Sequence, residues 1–291
     1  KGQVRASYIK LIEDVDFFIN NFDFPDRENL KLVMEDTKKC FVQSNFIGFA
    51  GYSNALKDER MHDALWHTVV FTIISVALEL VLGLGLAIIM NKAMKGQGIV
   101  RAVSLIPWAI PTTVAALMWS YLYDGSNGIV ANILQNLHII SDSRNLLLSG
   151  GGAMASAILA DVWKTTPYMA LLILAGFQTI PGTVYESAKV DGSGVFNTFF
   201  KITLPLLKPS ILVALLMRTL DAFRVFDLIY VLTGGGPGGS TETMSIYAYK
   251  TMFQQTNFGY GSVIVLLMVL CVAIIATFYI KILGANAMER D

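Results

Sequence analysis

Five stretches of this chain are too long and too apolar to fold in water alone: Trp66 to Met90, Val103 to Tyr123, Ala153 to Phe177, Pro209 to Thr233 and Gly261 to Leu283. A helix rises about 1.5 Å per residue, so roughly 20 apolar residues cross a hydrocarbon core about 30 Å thick. Inside lipid every backbone N–H and C=O must find a partner within its own segment or within a closed barrel, and stretches of this length do so as helices. The chain is therefore expected to be an all-α integral membrane protein, a bundle with five visible transmembrane helices. The composition agrees, because 54% hydrophobic and 15% charged residues lie far from the balance of a soluble domain.

The first 62 residues differ from the rest. They carry nine Lys/Arg and ten Asp/Glu and no apolar run of spanning length, so residues 1–62 read as a water-facing segment and 63–291 as the transmembrane domain. Basic residues in short connections set the orientation. Lys92, Lys95 and Arg101, then Lys189, Lys201 and Lys208, then Lys281 and Arg290 fall on one side, against Arg144 and Lys250 on the other. This puts the loops around 91–101 and 178–208 in the cytoplasm of a multi-pass protein of the cell membrane, and by parity puts residues 1–62 outside. No basic-then-apolar secretory signal opens the chain, so a sixth span upstream of Lys1 is expected to carry that segment across.

Several functional classes lose their support at this level. With 22 basic and 22 acidic residues the formal charge is zero, and no global field favours nucleic acid. Cys40 and Cys271 lie on opposite sides of the membrane region without redox or metal spacing, and His62, His67 and His138 are scattered near span ends, so no metal and no cofactor is expected. Gly234 to Gly239 spells G-x-G-x-x-G but opens no βαβ unit and reads as a flexible outer loop, and no phosphate-cradling G-x-x-x-x-G-K-[ST] occurs. Any ATP-driven role would draw its energy from partner subunits.

The loop after the third stretch reads Ile180-Pro-Gly-Thr-Val-Tyr-Glu-Ser-Ala-Lys-Val-Asp-Gly-Ser-Gly. Thr183 and Glu186 stand at capping-box spacing after a Pro-Gly turn, and Gly192 is the residue that most easily stops a helix in the left-handed conformation. A two-turn helix is predicted there, followed by a second short one over Val195 to Lys201 that Pro205 ends. On these features alone the loop is an amphipathic connector. The order Glu186-Ser187-Ala188, three residues, Gly192, nine residues, Ile202, one residue, Leu204-Pro205 also resembles the "EAA" loop of ABC importer permeases, with Ser187 in place of the middle Ala. That resemblance implies a coupling helix, with Glu186, Ser187, Ala188, Asp191 and Gly192 facing a cleft of an ATPase subunit.

The likeness extends from about Phe46 to Leu283. Asn45 to Tyr52, Ile106-Pro-Trp-Ala-Ile-Pro111 and Thr233-Gly-Gly-Gly-Pro-Gly-Gly-Ser-Thr-Glu242 resemble stretches of sugar permeases, while Val162 to Pro167 and Arg218 to Asp227 are most similar to permeases for trehalose and maltose. The resemblance implies a carbohydrate importer, with a disaccharide the favoured solute, working with a second permease subunit, two ATPase subunits and an external sugar-binding protein.

Charges inside the fourth stretch sharpen that expectation. Arg218, Asp221, Arg224 and Asp227 recur every three residues with alternating sign, so they can pair along one helix face. Unpaired at mid-bilayer, such groups cost about 2.5–3.5 kcal/mol each on insertion scales, so they face protein or water. Read structurally they are a self-neutralising ladder; read functionally they line a polar path. The resemblance implies that Asp221, Arg224 and Val225 contact the solute, with Trp108 and Thr112 beside Pro111, and Lys164 and Tyr168 beside Pro167, on neighbouring spans. Glu79 has no evident partner in the sequence. An intramembrane enzyme would need converging nucleophile, base or metal ligands, and none is spelled out. An ion-coupled carrier using the charge ladder, or an ABC permease for another solute such as an oligosaccharide or glycerol phosphate, remain the alternatives.

Overall fold

The computed structural model describes Glu28, Lys31 and residues 49–92, 96–126, 128–138 and 146–288, with side chains through Ile282. Two compact units divide the chain at Gly51, and the first lies almost wholly outside the described residues, as do Cys40, Lys95, Arg144 and much of the 1–62 segment. Among the described residues all regular structure is helical. A short α1 (Ala50–Ala55) precedes α2 (Glu59–Asn91), the first long helix. It starts seven residues before the apolar stretch because Asp58 caps it, its side chain accepting from the Arg60 N–H.

Among the described residues four helices are long and apolar enough to span a membrane: α2, α7 (Gly150–Gln178), the continuous stretch Val195–Phe223 and α13 (Phe258–Ile282 of a helix that runs to Met288). The stretch Val103 to Tyr123 is not a fifth such helix. It is broken into α3 (Gln97–Ser104), α4 (Ile106–Ala109) and α5 (Thr112–Leu122), because Ile110 is extended and Pro111 is the N-cap of α5. The physical cause lies in the sequence, since the residue before a proline disfavours helix and proline itself has no N–H to donate. A short α6 (Ile129–Asn136) follows before α7.

The loop after α7 differs from expectation in two details. Helix α8 (Gly182–Val190) forms, but Pro181 is its N-cap and no side chain caps it, so the Thr183/Glu186 capping box is not made. Nor does Pro205 end a short helix. The backbone runs from α9 (Val195–Thr198) through a π-helical turn at Phe199–Thr203 directly into α10 (Leu204–Phe223), with Pro205 just past the turn, where the wider π spacing accommodates a residue that has no N–H to donate. Helix α10 stops at Arg224, and α11 (Asp227–Leu232) resumes after a three-residue break, so the stretch from Pro209 to Thr233 is two helices. Helices α12 (Met244–Tyr249) and α13 follow.

Packing centres on α7, whose apolar window is 72% buried, against 6% for α13, whose outer face is therefore left for lipid or another chain. Close approach of α7 and α10 depends on Gly176: a β-carbon there would stand 2.4 Å from the Ser210 hydroxyl. Small residues at such crossings let helices associate in lipid, where hydrophobicity gives them no reason to.

The glycine-rich segment 233–243 is not a slack loop. Thr233 and Thr241 hydroxyls lie 2.7 Å apart, Thr241 donates to the Gly236 carbonyl at 2.7 Å, and turns bond Gly234 to Ile229 and Ser240 to Pro237. This framework places Glu242 against the start of α2, where Arg60 donates to both carboxylate oxygens at 2.7 and 2.9 Å and Lys250 lies at 2.9 Å. Burial alone would raise the Glu242 pKa, but the hydrogen bonds and charges of Arg60 and Lys250 outweigh it and hold the carboxyl below its ordinary value. Asp58 is likewise held below its usual value: burial pushes it up, and hydroxyls of Tyr247 and Tyr260, at 2.6 and 2.5 Å, together with backbone N–H groups prevail.

Candidate functional site

Two places in the fold gather the residues singled out in the sequence. The first is a cavity of about 250 Å³ where α7, the end of α10 and the α4–α5 break meet. Its walls include Trp108, Thr112, Lys164, Asp221, Arg224 and Val225. Tyr168 joins them indirectly, its ring stacked on Trp108 with centroids 5.5 Å apart and planes 9° from parallel. Lys164 donates from Nζ to the Trp108 carbonyl at 3.4 Å. Both helix breaks, at Pro111 and at Arg224 to Phe226, thus border one polar space, as expected where non-helical backbone is tolerated at membrane depth.

The charges are arranged differently from a ladder along one helix. Arg218, 1% exposed, donates from Nε and Nη2 to both oxygens of Glu79 on α2, at 2.5 and 2.8 Å. Its Nη2 also reaches Asp161 Oδ2 on α7 at 3.1 Å, and its Nη1 reaches Asp221 Oδ2 at 2.7 Å. Three helices are therefore tied through one guanidinium, whose planar fork of donors suits several carboxylates at once. Asp221 and Arg224 are a loose, solvent-facing pair at 3.7 Å with side chains 56% and 66% exposed, and Asp227 lies beyond the helix break. Such a pair is worth at most about 1 kcal/mol, so neither residue is a stranded charge when the other is removed.

The sequence left Glu79 without a partner and passed over Asp161. A lone carboxylate in an apolar span must find a cation, and Arg218 was the available partner, but nothing in the spacing aligned α2 with α10. Asp161 stands one position before the stretch Val162 to Pro167 and three before Lys164; the i,i+3 spacing was the signal available.

The second place is the 178–203 end. Gly192 takes φ +70°, and the Ser193 N–H bonds the Ala188 carbonyl at 2.9 Å while the Gly192 N–H bonds the Lys189 carbonyl at 3.1 Å. This pair of bonds is the glycine-stopped helix end expected from the sequence. Ala188 is buried, whereas Glu186, Ser187 and Asp191 are exposed. Beside them Val190 is 87% exposed and Phe196 81%. The two sets of residues thus occupy separate regions of the chain.

Residues 79–287 match the family described as binding-protein-dependent transport system inner membrane component. The chain is 44% identical over 246 residues to the trehalose/maltose transport system permease protein MalF of Thermococcus litoralis, covering 84% of this chain and 81% of the relative. It is 43% identical over 242 residues to the trehalose transport system permease protein SugA of Mycobacterium tuberculosis, covering 83% and 76%. Among solved structures it superposes on a chain of a bacterial ABC transporter that imports the acidic polysaccharide alginate, with a TM-score of 0.74, 21% identity and coverage of 96% and 95%.

Proposed function

Given that the chain belongs to the family of binding-protein-dependent transport system inner membrane components, we propose that it conducts a disaccharide, with trehalose and maltose the first candidates, through the cavity between α7, α10 and the α4–α5 break. It is a membrane-embedded permease subunit of an ABC importer and not itself an enzyme; ATP is hydrolysed by partner ATPase subunits. The solute reading is carried by one observation: an aromatic stack and hydrogen-bonding charges converge on a polar cavity within an apolar bundle. Carboxylate and guanidinium groups together accept from and donate to adjacent hydroxyls, and a flat aromatic face suits a sugar ring. Trp108 has one face taken by Tyr168, so the other serves as platform. At about 250 Å³ the cavity falls below the roughly 300–1,000 Å³ of most small-molecule sites, which supports a path completed by a second permease subunit.

Residues 178–208 then form the coupling loop, with Glu186, Ser187, Ala188, Asp191 and Gly192 at the contact with an ATPase subunit, and an external binding protein delivers the solute at the opposite end. In a background with Cys40 and Cys271 changed to Ser, a cysteine at residue 92 is expected to react with an impermeant maleimide only from the cytoplasmic side, and one at residue 59 only from outside. The reverse pattern would invert the topology. Proteoliposomes holding the assembled complex and its binding protein are expected to take up labelled trehalose or maltose only with ATP inside. Uptake without ATP, driven by an ion gradient, would favour the carrier reading instead.

A further inference from the structure

Arg218 donates to carboxylates from three helices, and two of those carboxylates, Asp161 and Asp221, belong to residues that line the cavity. Glu79 does not line it; fully buried, it grips Nε and Nη2 of Arg218 in a fork and so fixes the plane of the guanidinium. Asp161 and Asp221 each give Oδ2 to that plane, so the position and tilt of both carboxylates follow from the Glu79–Arg218 pair. Burying Glu79 and Asp161 on one guanidinium is costly, and apolar residues of similar volume often hold helices as well or better, so the cluster suits a purpose other than stability.

The cations near the cavity are also largely committed. Arg218 is surrounded, Lys164 is drawn to the Trp108 carbonyl, Arg224 faces Asp221, and Asp227 adds a further carboxylate to the walls. The walls balance at three carboxylates and three cations, and Glu79, bonded to Arg218 behind the wall, brings the charges about the cavity to four carboxylates against three cations. An anion would face repulsion in surroundings where charges are poorly screened, whereas hydroxyl groups would find aligned acceptors.

We propose that Glu79 and Arg218 act as positioning residues that present Asp161 and Asp221 as a paired acceptor for sugar hydroxyls, and that this pair makes the cavity selective for uncharged sugars over anionic ones. The proposal rests on the reading that this cavity is the sugar path, and it adds the contact residue Asp161, the role of Glu79 and the charge class of the solute.

The test is saturation-transfer NMR on the assembled permease–ATPase complex in nanodiscs, with trehalose, maltose and maltobionate, a disaccharide acid. The native complex is expected to bind trehalose or maltose and to release neither to a tenfold excess of maltobionate. Asp161→Asn is expected to weaken sugar binding about tenfold or more, the loss typical of one charge-assisted hydrogen bond. Glu79→Gln should weaken it less, with Glu79→Asp restoring part of the loss, each compared at equal amounts of assembled complex. Native-level sugar binding by assembled Asp161→Asn, or displacement by maltobionate as effective as by unlabelled sugar, would overturn the proposal; the competition is run on the native complex and decides even where a variant fails to assemble. No binding of either neutral sugar by the native complex would instead defeat the sugar-path reading, and this inference with it.

Discussion

Arg218→Leu is expected to prevent accumulation of the assembled complex. The substitution leaves Glu79 fully buried with no cation and Asp161 nearly so. Removing one partner of a buried charge cluster costs about 3–5 kcal/mol, a large part of the roughly 5–15 kcal/mol that holds a folded domain. Arg218→Lys keeps the charge and loses the fork: an ammonium cannot donate in parallel to both Glu79 oxygens while reaching two further carboxylates, so an intermediate yield is expected. Replacing Glu79, Arg218 and Asp161 together by Leu, Met and Leu removes the charges as a set and is expected to restore assembly without restoring uptake. Size-exclusion yield of the complex in detergent, with uptake measured on whatever assembles, reads all three. Native yield from Arg218→Leu would mean that Glu79 and Asp161 are satisfied in some other way, and the hub would lose its structural meaning.

That hub also marks where the sequence stopped being informative. The class of fold could be read directly, because lipid permits few backbone solutions and apolar length is a one-dimensional property. Gly192 was legible as a helix stop for the same reason: the demand for positive φ is local to one residue. Breaks at prolines were legible in part, since Pro111 and its neighbour Ile110 carry their own conformational limits, yet Pro205 belonged to a helix start instead of an end, which depends on where the preceding π turn places it. Partnership across helices was not legible. Counting every third residue tied Arg218 to Asp221 correctly and continued to Arg224 and Asp227, whereas the other bonds of Arg218 reach Glu79, 139 residues away, and Asp161, 57 residues away. Periodicity describes a helix face and carries no information on which other face it meets.

Side chains of the apolar kind show the same limit. Val190, Val195 and Phe196 sit in a stretch that reads as amphipathic connector, and only the folded chain shows them standing clear of the bundle next to the Gly192 stop. Their exposure belongs with the proposed contact to the ATPase, because large apolar side chains at a water-facing end are stabilised when a partner covers them.

Gly192→Asp is the substitution expected to separate transport from ATP hydrolysis. A β-carbon at this position meets no atom within 4 Å, so the change produces no clash and leaves the bundle, the cavity and membrane insertion as they were. What it alters is local. The residue holds φ +70°, a conformation that costs most side chains about 1–2 kcal/mol, though Asp and Asn bear it better than others. The added carboxylate also lies at the C-terminal end of α8, where the helix dipole already disfavours negative charge by about 0.3–1 kcal/mol, and beside Asp191 on the surface proposed to dock. Three replacements divide these effects. Gly192→Asn tolerates the backbone and adds no charge, and is expected to transport nearly as the native protein does. Gly192→Ala adds strain without charge and should lose transport in part. Gly192→Asp adds the charge, and uptake is expected to fall more than tenfold, a loss of at least about 1.4 kcal/mol in coupling, while the complex still assembles and still hydrolyses ATP. Uptake and ATPase rate measured on the same proteoliposomes decide the matter, and native uptake by the Asp variant would remove the 182–192 helix from the coupling pathway.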